Sequence, residues 1–262
     1  MKQLLISWML FIICFHLEAQ DLAAYEHVSI TENGITLPFR FLRPLRDTSK
    51  KYPLILFLHG AFEKGDDNER QLDIGGKFFL RDSIRTQYPA YILFPQCPVN
   101  DSWVYFENRI DFATGGATDW NFPFNRKPTP VTAVLKKLID SLVVREHIDV
   151  SRIYLAGYSQ GGMGVLDMVA RFPDLFAAGI PICGAGEPST VKYFAHKTAL
   201  WLFHGENDDI VPVGFSRDYT KRLRRLGSVV QYSEYAGKGH DCWSMVFEEP
   251  DLMHWLFLQC KK

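Results

Sequence analysis

Short apolar runs alternate along this chain with longer segments whose apolar residues recur every three or four positions. Glu26 to Ile30 and Ile35 to Phe41 read as strands, joined by Thr31-Glu32-Asn33-Gly34. Asn-Gly between β-like runs is a strong hairpin signal, so an antiparallel hairpin at a sheet edge is expected. Leu54 to Leu58 is continuously apolar, as a parallel strand covered on both faces requires. Tyr91 to Phe94, Phe176 to Cys183, Ala199 to Phe203 and Val229 to Tyr235 read as further strands. Between them, Glu69 to Gln87 is roughly helical with a break at Gly75-Gly76. Val131 to His147 and Phe215 to Leu226 are helical, and a short helix closes the chain. Strands alternating with helices predict an α/β fold with a mainly parallel sheet and helices on both faces. Gln96 to Pro130 has no clear period and is rich in aromatic residues. A loop of that length in a compact domain is usually functional.

One stretch organises the pattern: Arg152 to Phe172, RIYLAGYSQGGMGVLDMVARF. An apolar run, Ile153 to Ala156, enters Gly157-Tyr158-Ser159-Gln160-Gly161. A helical pattern follows, with Met163, Leu166, Val169 and Ala170 on one face. G-x-S-x-G at a strand-to-helix turn is the context of a nucleophile elbow. The turn strains the serine backbone, and side chains at 157 or 161 would collide as helix and strand approach. The Ser159 hydroxyl is thereby held at the positive end of a helix.

A serine hydroxyl needs a base within hydrogen-bond reach, and the base needs an orienting carboxylate. The loops after the last two strands supply both. Asp208 lies in His204-Gly205-Glu206-Asn207-Asp208-Asp209, and His240 in Gly237-Lys238-Gly239-His240. Asp208 is preferred to Asp209 and Glu206 on its position in the motif. His59 and His204 each precede a glycine at a strand end and read as structural hydrogen-bonders. Asp241 reads as a cap of the next helix. Lys64 and Asp66 to Arg70 read as a solvated or loop-stabilising cluster.

Composition bounds the partners. The 262 residues are 47% hydrophobic and 23% charged with a net charge of -1, enough for one substantial core and without a nucleic-acid footprint. Lys221 to Arg225 reads as the solvated face of a helix. Met1 to Ala19 has a basic start, an apolar run too short to span a bilayer, and a small residue before a polar segment. It reads as a signal peptide, leaving 20–262 as a single domain exported to the periplasm or outside, with no membrane span after cleavage. Cys97, Cys183, Cys242 and Cys260 then remain, allowing up to two disulfides in three pairings. No C-x-x-C spacing is present, so no metal is expected.

The pieces LFLHGAFEKGDDNERQ, FPQCP, LAGYSQGGMG, WLFHGENDDIVP and GKGHDCW resemble the α/β-hydrolase superfamily from Tyr52 to the C-terminus. They are especially similar to the dienelactone-hydrolase and prolyl-oligopeptidase-like esterases, including predicted peptidases and phospholipase/carboxylesterase types. The resemblance implies an α/β-hydrolase fold and the triad Ser159, Asp208 and His240. It also implies an oxyanion hole from the backbone N–H of Gln160 and that of Ala61 or Phe62. Phe62 stands where the family usually has the second glycine of HGxG. No cofactor is implied.

The expected function is a serine esterase acting on carboxylic esters, among them acyl or feruloyl esters of glycans. Trp103 and Trp243 are the aromatics expected nearest the pocket, since aromatic walls suit an aryl or sugar face. A peptidase of prolyl-oligopeptidase type is the alternative, although the chain has no room for a selecting propeller. A non-catalytic hydrolase-fold binding protein is the third reading.

Overall fold

The computed structural model describes residues 22–45, 50–110 and 117–261. The expected signal peptide, 1–19, lies outside the described residues.

The chain opens with strands β1 (Glu26–Glu32), β2 (Ile35–Leu42) and β3 (Tyr52–Leu58). Helices α1 (Gly76–Leu80) and α2 (Asp82–Gln87) lead to β4 (Tyr91–Pro95), β5 (Glu107–Ile110) and β6 (Ala117–Asn121). Helix α3 (Pro130–Arg145), β7 (Ile148–Tyr158), α4 (Gln160–Arg171) and β8 (Ala178–Ile182) form the centre. Then come α5 (Val191–Phe194), β9 (Ala199–Gly205), α6 (Gly214–Arg225), β10 (Val230–Tyr235), α7 (Trp243–Val246) and α8 (Leu252–Leu258).

Eight strands form one sheet in the order β1-β2-β4-β3-β7-β8-β9-β10. β1 pairs antiparallel with β2, and β2 antiparallel with β4. Every other neighbour is parallel. This is the α/β-hydrolase fold with its N-terminal hairpin at the edge. Asn33 and Gly34 turn that hairpin with φ of 52° and 78°, the left-handed pair that a two-residue turn demands.

The continuous apolar run of β3 is divided by the pleat. Leu54, Leu56 and Leu58 enter one core with α3 and α4, while Ile55 and Phe57 enter the other with α1 and α8. Both layers seal the sheet from water, which is why β3 has no polar face. Helix α3 starts at Pro130, with the Thr129 hydroxyl accepting from the Thr132 N–H at 3.3 Å. Helix α4 buries ten of its twelve residues, so its helical stripe is wider than the one apolar face expected.

Three local expectations change. Strand β7 begins at Ile148, five residues before the apolar run: Ile148 pairs with Tyr52, and a register shift before the Leu54–Ile153 pair accommodates residues 149–152. The segment from 96 to 130 is not structureless. β5 and β6 form a separate two-stranded antiparallel ribbon. The C-terminal helix is two short helices. Because β3, β4, β7, β8, β9 and β10 run parallel, their following loops gather at one edge of the sheet, where ligands bind in open α/β sheets.

Candidate active site

Ser159 stands between β7 and α4 with φ 53° and ψ −121°, a left-handed backbone strained for a non-glycine residue. Its N–H donates to Ile182 O at 2.8 Å, which ties the turn to the end of β8. The tightness of the turn is visible at Gly161, where a Cβ would lie 2.0 Å from Leu58 O. Only a hydrogen fits there, so α4 sits directly on the end of β3.

The three side chains expected together are together. His240 Nε2 lies 2.8 Å from Ser159 Oγ, and His240 Nδ1 lies 2.7 Å from Asp208 Oδ2. With Nδ1–H donated to the carboxylate, Nε2 is free to accept the serine proton. The Asp208 side chain is fully covered and the His240 side chain nearly so. Burial by itself would raise the Asp208 carboxyl. Hydrogen bonds from His204 and His240, the His240 charge and the Val211 N–H outweigh it and hold the group well below the usual carboxylate range.

Backbone contacts place these loops. The N–H of Asn207 donates to Lys238 O at 2.8 Å, and that of Glu206 to Tyr235 O at 3.0 Å. A Cβ on Gly205 would meet Gly239 O at 2.1 Å, so the Asp208 and His240 loops lie backbone to backbone. Asp208 Oδ1 accepts from the N–H groups of Ile210 and Val211. Asp209 is exposed and takes no part.

His204 does more than expected. Its Nε2 lies 2.9 Å from Val211 O and 3.1 Å from Asp208 Oδ2, and its Nδ1 lies 2.8 Å from Ser216 Oγ. It braces the acid at the same oxygen that His240 approaches. The sequence offered one signal, the four-residue spacing between His204 and Asp208, but a loop intervenes and spacing there does not imply contact. Cys183, His204 and Asp208 offer ligand atoms within 4.8 Å of one another. The histidine and carboxylate atoms are engaged in these hydrogen bonds. His59 is buried, with Nδ1 2.6 Å from Gly60 O and Nε2 accepting from the Cys97 N–H at 2.9 Å. Burial lowers it to about 4.

The expected oxyanion donors are the backbone N–H groups of Gln160 and of Ala61 or Phe62. Gln160 is the first residue of α4, where backbone N–H groups have no intrahelical partner. Ala61 and Phe62 follow β3 and are exposed, Phe62 89% so. Gly60 is buried against the Tyr158 ring.

Trp103 is not a pocket wall. It is fully buried, its Nε1–H donating to His59 O at 3.1 Å and its carbonyl accepting from Thr132 Oγ1 at 2.7 Å. It pins the post-β4 loop to α3 and to the loop after β3. Trp243 is half-buried, 5.1 Å from the Tyr158 ring, and remains at the site's margin. Asp241 is exposed and does not cap α7, whose N-cap is Cys242. A second group of aromatics packs against α4 and the Asp208 loop. Phe106, Trp120, Phe122 and Phe215 form a cluster packed with Met163 of α4 and Val211 of the Asp208 loop. Lys64 and Asp67 hold their loop, through Asp101 O and through the Glu69, Arg70 and Gln96 donors.

The phospholipase/carboxylesterase family matches residues 46–251. The chain belongs to that family. A thermostable esterase of known structure is 33% identical with a TM-score of 0.82, covering 92% of this chain and 64% of its own. The acylaminoacyl peptidase of Pyrococcus horikoshii is 20% identical with a TM-score of 0.60, covering 91% of this chain and 42% of its own. A ferulic acid esterase from Anaeromyces mucronatus, solved with ferulic acid, is 16% identical with a TM-score of 0.64, over 87% and 89%. The last two show the fold alone. The chain spans 12% and 51% of the curated relatives it matches. No helix among the described residues is long and apolar enough to cross a membrane.

Proposed function

We propose that this chain is an exported serine hydrolase that cleaves carboxylic esters through an acyl-enzyme. The observation that carries the proposal is the unbroken relay from Ser159 Oγ through His240 to Asp208, at 2.8 and 2.7 Å. Ser159 attacks the ester carbonyl while His240 Nε2 takes its proton. Asp208 holds the imidazole and stabilises its cation. The oxyanion is met by the N–H of Gln160 and that of Ala61 or Phe62, at the positive end of α4. His240 returns the proton to the departing alcohol, and water repeats the cycle on the acyl-enzyme.

The substrate side is supported by the aromatic cluster of Phe106, Trp120, Phe122 and Phe215 against α4 and the Asp208 loop, which suits an aromatic or extended acyl group such as a feruloyl ester of a glycan. Export is supported by the pattern of residues 1–19.

The test is turnover of p-nitrophenyl esters from acetate to octanoate, with methyl ferulate and an aminoacyl-proline amide beside them. Wild type and Ser159→Ala are compared. Ester turnover falling at least about 10⁴-fold in the variant is the expected outcome. Amide cleavage exceeding ester cleavage would move the reading to a peptidase. No turnover, with a fluorophosphonate failing to label Ser159, would sink the proposal.

A further inference from the structure

Two cysteines next to the relay have no part in the acyl-transfer chemistry. Cys183 follows β8 directly, with φ 47°, and Cys242 lies two residues beyond His240. Both are buried. Their sulfurs approach to 3.1 Å across 59 residues of chain. That is nearer than the ~3.5–4.0 Å at which non-bonded carbons rest, and sulfur is the larger atom. The other two described cysteines face backbone carbonyls, Cys97 that of Pro98 and Cys260 that of Lys261. All four are free thiols here, and of the pairings left open by the sequence the contact favours Cys183 with Cys242.

We propose that Cys183 and Cys242 are a disulfide site whose bond staples the His240 loop to the end of β8, beside Asp208. The sulfurs need to approach by only about 1 Å to reach bonding distance. The stapling of a catalytic histidine rests on the serine-hydrolase reading; the bond itself does not.

The oxidant is a disulfide, either a small one such as oxidised glutathione or that of a thiol oxidase. The thiolate of one cysteine attacks a sulfur of that disulfide and expels one thiolate. The second cysteine, deprotonated, attacks the mixed disulfide and expels the other. Two protein thiols are oxidised, one disulfide is reduced, and the two protons end on the two released thiols. In the folded protein the hydrogen bond to Cys242 and burial push the Cys183 thiol far up. Little thiolate forms there, so exchange occurs while the chain is still folding, and the finished bond is shielded from mild reductants.

The experiment refolds the full chain in a mixture of reduced and oxidised glutathione. It is then denatured, alkylated with iodoacetamide without reduction, and digested. The expected result is a peptide pair joined through Cys183 and Cys242, absent from Cys242→Ser, with Cys97 and Cys260 alkylated. Alkylation of both Cys183 and Cys242, or a different pairing, would overturn the site. Thermal unfolding is followed by circular dichroism for protein refolded with and without reductant. The crosslinked form should melt about 5–10 °C higher; equal midpoints would overturn the staple. Fluorophosphonate labelling of both preparations reads Ser159 separately, so failure of the hydrolase reading is distinguishable from failure of the bond.

Discussion

At the scale of single residues, the site is a set of groups that each need a partner on a different loop. Ser159 keeps its strained backbone because Gly161 lets α4 press on β3 and because its N–H is held by Ile182 O. Asp208 stays ionised in a covered position because both of its oxygens are filled, Oδ1 by two backbone N–H groups and Oδ2 by two histidines. An amide at 208 would fit the space but leave His240 Nδ1 facing the wrong group. Asp208→Asn is expected to lower kcat by about 10⁴-fold with an unchanged circular dichroism spectrum. A loss of less than tenfold would show that the carboxylate does not orient His240.

At the scale of elements, the β5–β6 ribbon is an excursion from the sheet, and it carries Trp120 into a cluster with Phe106, Phe122 and Phe215. The Trp120 and Phe122 rings stack at 6.0 Å and 8°, and Phe215 of α6 meets both edge-on. The cluster packs on Met163 of α4 and Val211 of the Asp208 loop, and none of its aromatic side chains is a member of the relay, so trimming it should spare Ser159, His240 and Asp208. Trp120→Ala is expected to raise KM for methyl ferulate about threefold to tenfold while leaving p-nitrophenyl acetate unchanged. Equal effects on the two esters would mean that the ribbon supports the fold and does not contact the acyl group.

At the scale of the whole molecule, stability should depend on pH through His59. It is buried between Gly60 O and the Cys97 N–H, and its folded value lies at about 4. In the unfolded chain it takes up its proton near the ordinary value of about 6.5. Between those values the unfolded state binds the extra proton. Stability therefore falls as pH drops through that window, by about 3 kcal/mol in all. Asp208 acts lower: its contribution is present above its unfolded value of about 3.9 and is lost below it. The two windows separate in urea unfolding between pH 7 and pH 4.5. Wild type should lose stability across that range, and His59→Gln should lose much less. A flat wild-type profile would mean that His59 already takes its proton in the folded protein.

The sequence by itself determined the features written in local pattern. The Asn33-Gly34 hairpin, the doubly buried β3, the elbow at Ser159 and the candidacy of Asp208 and His240 were all legible, because each depends on a few adjacent residues with special backbone or burial demands. What only the tertiary structure decided are contacts between distant segments. Trp103 reads in sequence as a pocket aromatic, yet becomes core because α3 and the loop after β3 close over it. β5 and β6 have no period of their own and become strands only by pairing with each other. His204 joins the acid, and Cys183 meets Cys242, because parallel strands bring their following loops to one edge. Apolar spacing records which face a residue turns inward. It does not record which distant loop is waiting there.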